Sequence, residues 1–269
     1  MLRFHVLTEN WVRKRGLLAE HGLSLWIESG RAQILFDMGQ SGVFIHNAGI
    51  MGIRLEDADR VIFSHGHYDH TGGFPDFRNK IQSQAKIHLH AEAFRKRYVI
   101  KGGKTGPVEA GIPWSFDRLG VGEDEVIFNV KPVLISDGIL ISGEIPRKTG
   151  FEEVPSYFKT ESPAGMVHDR ITDEQMLVIK GAGGLHLFLG CGHPGTINCL
   201  HYAAELFPGE KIAAVIGGMH LEGVDTPRLS KTIQSLINFG VQKVVPLHCT
   251  GEIAVNEIKK EFGEFCLAP

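Results

Sequence analysis

The sequence predicts an α/β fold with mixed β-sheets and helices outside them. Two observations carry this. The N-terminal two-thirds is rich in short strands, and the C-terminal third alternates strand and helix. A third sets the scale: 269 residues, 43% hydrophobic and 22% charged, is the composition of a globular chain that buries its core without staples. The whole of 1–269 reads as one domain, with lid or insert segments near 101–125 and 147–170.

Taken in order, Leu2 to Leu7 reads as a strand. Leu23 to Glu28 and Gln33 to Phe36 form a hairpin turning at Ser29-Gly30-Arg31. Asp37-Met38-Gly39-Gln40 breaks the pattern, and Val43 to Ala48 is a short helix. Val61-Ile62-Phe63 is a buried-strand run, and Lys86 to Leu89 is a further strand with a helix expected from Ala91. The segment 101–125 is rich in Gly, Pro and charge, and 147–170 is irregular. Pro132 to Ser136 and Gly138 to Ser142 pair. Met176 to Lys180 and Leu185 to Leu189 form a hairpin around Gly181-Ala182-Gly183-Gly184. The tail then alternates: helix Thr196 to Leu206, strand Ile212 to Ile216, helix Pro227 to Phe239, strand Lys243 to Pro246, helix Glu252 to Phe262.

A formal net charge of −3 gives no electrostatic reason to expect nucleic acid as partner. A small-molecule substrate is expected. An anionic or phosphorylated one stays open, because bound cations supply local positive charge. The four cysteines (Cys191, Cys199, Cys249 and Cys266) form no CxxC pair, which points to a reducing compartment. With no signal-peptide core and no apolar run near the roughly 18 residues of a membrane span, a cytoplasmic protein is expected. Gly181 to Gly184 lacks the Lys-Ser/Thr of a phosphate loop. Arg95-Lys96-Arg97 reads as a solvated helix face, and Lys101 and Lys104 are weak candidates to meet an anion from the expected lid.

Histidine placement carries the chemistry. Phe63-Ser64-His65-Gly66-His67-Tyr68-Asp69-His70-Thr71-Gly72-Gly73 puts three histidines and an aspartate at the end of a buried strand. His65 and His67, two apart in an extended segment, project to one side and can share one metal ion. A turn at Asp69 and His70 aims both at a neighbouring position. Gly66, Gly72 and Gly73 permit tight approach. Imidazoles with a carboxylate suit zinc; iron and manganese also accept them. A structural zinc site would close with cysteines, and none lies nearby in sequence.

This segment resembles the HxHxDH signature of the metallo-β-lactamase superfamily, and Leu35-Phe36-Asp37-Met38-Gly39 resembles that family's early strand ending in Asp and Gly. The resemblance implies an αββα sandwich, two mixed sheets face to face with helices outside, and a dinuclear site. His65 and His67 would bind one ion, Asp69 and His70 the other. Gly190-Cys191-Gly192-His193 is similar to the family's Gly-Asp strand end, with Cys191 where a bridging Asp is usual. A thiolate can ligate zinc, and a buried small residue is the alternative for Cys191. His193, two residues on, is a further candidate ligand. Val244 to Gly251 resembles the last ligand motif, which makes His248 a ligand and turns Cys249 the other way. His220, after Gly217-Gly218, is a strand-end candidate to bind substrate, donate a proton or ligate. His21 and His168 are weaker candidates.

Two cations about 3.5–4 Å apart deprotonate water near neutral pH and polarise an electrophile. The chain is therefore expected to be a hydrolase acting on an ester, phosphoester or related small molecule. Asp69 would serve as both ligand and orienter of the nucleophile, His220 as a second catalytic group, and Asp37 as a carboxylate fixing a histidine tautomer. The motif set is also similar to a branch named after a dihydropterin-ribofuranosylaminobenzene-phosphate synthase. That implies an alternative: C–N bond formation at a pterin with diphosphate departure. A catalytically silent metal- or ligand-binding protein is the third reading.

Overall fold

The computed structural model describes residues 1–101 and 106–268. The chain divides into two compact units. One comprises Leu2–Val130 and Val154–Asp173, the other Lys131–Glu153 and Glu174–Pro269.

The first unit runs through β1 (Leu2–Thr8), β2 (Ser24–Ser29), β3 (Ala32–Phe36), α1 (Val43–Met51), β4 (Arg60–Ile62), α2 (Tyr68–Thr71), α3 (Phe74–Lys80), β5 (Lys86–His90), β6 (Arg97–Val99), β7 (Val108–Glu109), α4 (Phe116–Leu119) and β8 (Val126–Asn129). After β9 (Val133–Ser136) and β10 (Ile139–Ile141), which belong to the second unit, the chain returns as β11 (Phe158–Ser162) and β12 (Gly165–His168). Its main sheet has the order β1-β2-β3-β4-β5-β8. The β1-β2-β3 meander is antiparallel, as the Ser29-Gly30-Arg31 turn predicts, and β3, β4, β5 and β8 run parallel. Leu35, Val61, Ile87 and Leu89 face α1 and α3, burying Phe44, Ala48, Phe74 and Phe77 around Trp114. Ile34, Phe36 and Ile62 alternate with them and are also buried. Burial on both faces is why these strands read as unbroken apolar runs.

Two expectations fail in this unit. The helix from Ala91 is absent: turns over 91–95 lead into β6, part of a four-stranded sheet ordered β12-β11-β6-β7. The reason is Arg97. It is buried and salt-bridged to Asp169 (Nε–Oδ2 3.0 Å) and Asp173 (Nη2–Oδ1 2.7 Å), so it departs from the expected solvated helix face, while Arg95 and Lys96 are exposed. The segment 147–170 is likewise not wholly irregular, since it contains the β11–β12 hairpin.

The second unit adds β13 (Leu177–Gly181), β14 (Gly184–Leu189), α5 (Thr196–Leu206), β15 (Ile212–Gly218), α6 (Thr226–Asn238), β16 (Lys243–Leu247) and α7 (Glu252–Phe262). Sheet order is β16-β15-β14-β13-β10-β9, antiparallel from β9 to β14 and parallel from β14 to β16. The expected hairpin pairs Gly181 with Gly184, and Gly183 at φ 95 makes the turn. In α6, Asp225 caps the N-terminus by accepting from Arg228 N at 2.8 Å, and Pro227 lies in the first turn. Leu229, Thr232, Ile233 and Leu236 recur at helical spacing and are buried. With Leu200, Ala203 and Ile258 they cover Leu187, Leu189, Val215 and Val244 of the sheet. No helix among the described residues is long and apolar enough to cross a membrane.

Candidate functional site

In the first unit the histidine segment leaves the carboxyl end of β4, beside the end of parallel β3. Asp37, the first residue after β3, is fully buried at φ 56. Its Oδ1 accepts from Ser64 N and its Oδ2 from Ser64 Oγ, both at 2.7 Å. His70 Nδ1 lies 2.7 Å from the same Oδ2. Burial raises the Asp37 carboxyl above its ordinary range, and the facing His70 imidazole and the Ser64 bonds offset only part of that rise. Asp37 thus holds the His70 ring by its Nδ1 edge, leaving Nε2 on the opposite edge.

Ser64 Oγ also lies 2.9 Å from His65 Nδ1. His65 Nε2 and His67 Nδ1 converge to 2.9 Å, close to the separation of two nitrogens on one ion about 2.0–2.1 Å from each. His67 sits at the start of α2, where Thr71 Oγ1 donates to its carbonyl at 2.8 Å, and its ring stacks on Phe158. Asp69 follows inside that short helix, its Oδ2 3.9 Å from His70 Nε2 and 3.2 Å from His21 Nε2. His21, the weaker candidate, is therefore brought to the cluster. His168 is exposed on β12 and His88 is buried on β5. The glycines are required: a Cβ at Gly72 or Gly73 would lie 2.5 Å from Gln40 O or 2.2 Å from Met38 O.

In the second unit, parallel strands β14, β15 and β16 each end in a candidate ligand. After β14, Glu174 organises the turn. Its Oε1 accepts from Cys191 N and Gly192 N (3.0 and 2.5 Å), and its Oε2 accepts from His193 N at 2.8 Å. His193 Nδ1 lies 2.6 Å from that Oε2. This repeats the carboxylate–histidine arrangement of Asp37 and His70. At the end of β15, Gly217 runs against β14; a Cβ there would sit 1.9 Å from Leu189 O. His220 then takes φ 46 and its ring lies 4.5 Å from that of His193. Burial lowers its pKa. After β16, His248 takes φ 48. Left-handed backbone at Asp37, His220 and His248 costs on the order of 1–3 kcal/mol each and concentrates at the strand ends that carry the candidate groups.

Ligand atoms of Cys191, His193 and His220 lie within 4.8 Å of one another, as do those of Cys191, His248 and Cys249. Cys249 is a correction. Strand alternation continued past Leu247 turns it away, but the chain leaves the strand at His248 and enters a 3-10 turn. Cys249 Sγ then donates to Cys191 O at 3.3 Å. Burial pushes the Cys249 thiol up, but side-chain hydrogen bonds with Cys191 and His220 and electrostatic attraction to the His220 ring outweigh this and lower it overall. Lys104 falls outside the described residues. Lys101 sits over the Tyr157 ring at 5.0 Å. Glu174 and Ser64 were not singled out from sequence. Neither bears a local signal, because a buried carboxylate and an exposed one look alike in a string of letters.

In each unit the donors suit a divalent ion: imidazoles with a carboxylate in the first, imidazoles with thiols in the second, each with one ring oriented by a buried carboxylate. The comparisons with known proteins agree with this chemistry. Residues 18–144 match the model of the metallo-beta-lactamase superfamily. A 7,8-dihydropterin-6-methyl-4-(beta-D-ribofuranosyl)-aminobenzene-5'-phosphate synthase of Methanocaldococcus jannaschii is 31% identical over 257 residues, 91% of this chain and 86% of the relative. An uncharacterized protein of the same organism is 28% identical over 95% of this chain and 93% of its own length. Among solved structures, a metal-dependent hydrolase of the beta-lactamase superfamily shares 31% identity with a TM-score of 0.85, covering 100% of this chain and 96% of that one. The expected α/β fold class is thus the one found. By motif, by fold and by an alignment spanning nearly its full length, the chain belongs to the metallo-beta-lactamase superfamily.

Proposed function

We propose that this protein is a metal-dependent enzyme acting on an ester, phosphoester or related small molecule. Two divalent ions, zinc before iron or manganese, would be held by His65, His67, Asp69, His70, Cys191, His193 and His248. The observation that carries this reading is the repeated carboxylate–histidine pair, Asp37 on His70 Nδ1 and Glu174 on His193 Nδ1, at 2.7 and 2.6 Å. Such pairs fix the tautomer and orientation of metal-ligating histidines. When bound, ions of this kind bring water to deprotonation near neutral pH and polarise carbon or phosphorus.

The chain's own groups supply the rest. Asp69, mostly buried beside His21 and His70, has a carboxylate oxygen able to orient an attacking hydroxyl. Burial lowers the His220 pKa and so disfavours the charged imidazolium, which suits a part in ligation or hydrogen bonding to substrate. Its placement against His193 supports that part. The 31% identity to a metal-dependent hydrolase of known structure supports hydrolysis. Turnover of phosphodiesters, lactones and thioesters after loading with Zn, Mn or Fe tests it. Activity lost on chelation and restored by metal is expected, and full activity in metal-free protein contradicts it.

A second reading is favoured by one observation, the 31% identity to the pterin-linked synthase over 91% of this chain. Here the same ligands would serve a diphosphate leaving group, and the product would be a pterin-bearing aminobenzene conjugate. Incubation with the pterin diphosphate and the ribofuranosyl-aminobenzene phosphate separates the two. Product formation selects this reading, and its absence with every metal removes it.

A further inference from the structure

Asp173 and Glu174, adjacent in sequence, are each bonded to a different ligand-bearing turn. Asp173 Oδ2 accepts from Gly66 N at 2.7 Å, at the peptide between His65 and His67. Glu174 gathers the Cys191, Gly192 and His193 backbone N–H groups and the His193 ring. Both side chains are buried, at 0% and 2% exposure, so neither bond is shared with bulk water. Charge is compensated on the Asp173 side by Arg97, whose Nη2 is 2.7 Å from Asp173 Oδ1 and whose Nε reaches Asp169 Oδ2 at 3.0 Å. Arg97 Nη1 donates to Ala93 O at 3.1 Å. A Cβ at Gly66 would lie 1.9 Å from that carbonyl and 2.5 Å from Arg97 Nη1, so the glycine lets the turn press directly on the ion cluster. The loop that delivers the two carboxylates is held as well: Asp169 Oδ1 accepts from Ile171 N at 2.8 Å, with buried Ile171 at φ 49.

We infer that Asp173 and Glu174 are a pair of positioning residues, with Asp173, backed by Arg97, setting the His65–His67 turn and Glu174 setting the Cys191–His193 turn for metal ligation. The inference rests on the metal-binding reading above. An amide at either position retains the size but loses the charge that gathers donors. At Glu174 it also places an NH2 group against two N–H donors. Geometric freedom returned to the imidazoles lowers affinity and distorts the ion's ligand field.

The test loads the full chain with cobalt(II) and compares wild type, Asp173→Asn and Glu174→Gln. Affinity is read by chelator competition and ligand geometry by the visible spectrum per bound cobalt. Each variant is expected to bind about 10–100-fold more weakly and to show an altered spectrum, with metal-free far-UV circular dichroism like that of wild type. Bound cobalt with the wild-type spectrum in both variants overturns the inference. So does an affinity loss no larger than the loss of folded protein. Should Asp173→Asn fail to fold because the buried Arg97, Asp169 and Asp173 cluster loses one of its charges, Asp173→Glu keeps the charge while displacing the carboxylate from Gly66 N, and is read by the same two outcomes. Wild-type protein that takes up no cobalt overturns the metal reading and this inference with it. Wild-type uptake with spectrally unchanged variants overturns this inference alone.

Discussion

Asp37 shows how one residue joins backbone strain to chemistry. It occupies a left-handed conformation at φ 56, is fully buried, and accepts from Ser64 twice while facing His70. Asparagine tolerates that conformation better than most residues, so Asp37→Asn keeps the turn and removes the charge that orients His70. Its metal affinity is expected to fall about 10–100-fold by competition with a chromophoric chelator; unchanged affinity would remove Asp37 from the site. The candidate ligands of this segment are legible at this scale because His65, His67, Asp69 and His70 fall within the one stretch 65–70. Their partners are not. Asp173 meets Gly66 across 107 positions, and Glu174 meets His193 across 19, separations that only the folded chain closes.

At the level of elements, legibility follows periodicity. Helix α6 lies within a residue of its expected bounds at each end, because Asp225, Pro227 and the Leu229–Leu236 stripe are local signals. Asp225→Ala should cost about 1 kcal/mol in urea unfolding, and a neutral result would mean the cap does not hold in solution. The helix expected from Ala91 fails for the opposite reason: Arg97 is drawn into the interior by Asp169 and Asp173, which no local pattern announces. Strand β5 carries a different consequence. Burial, the charge of Arg60 and a counteracting bond to Asn129 leave His88 with a pKa of about 4. An unfolded histidine titrates near 6.5, so between those values the unfolded chain binds the extra proton. The buried neutral ring therefore stabilises the fold fully above about pH 6.5, and that contribution is lost as pH falls through about 4. Metal-free wild type should lose on the order of 2 kcal/mol over that window relative to His88→Gln. Parallel pH dependence of the two proteins would show that His88 is not the titrating group.

Across the whole molecule, the candidate ligands sit at the carboxyl ends of parallel strands in both units: β4 in one, β14, β15 and β16 in the other. That is the end at which open α/β sheets place their sites. The resemblance to one superfamily spans nearly the full chain and so covers both units. The substrate is not legible in the sequence, since the segments flanking the ligand turns carry no motif that names one. Metal content tests the proposed metal-ligating role of each ligand set most directly. Counting zinc, iron and manganese per chain by plasma mass spectrometry, in wild type, His67→Ala and His193→Ala, should give about two ions in wild type and fewer in each variant. Trace metal in wild type, or full metal content in both variants, would contradict it.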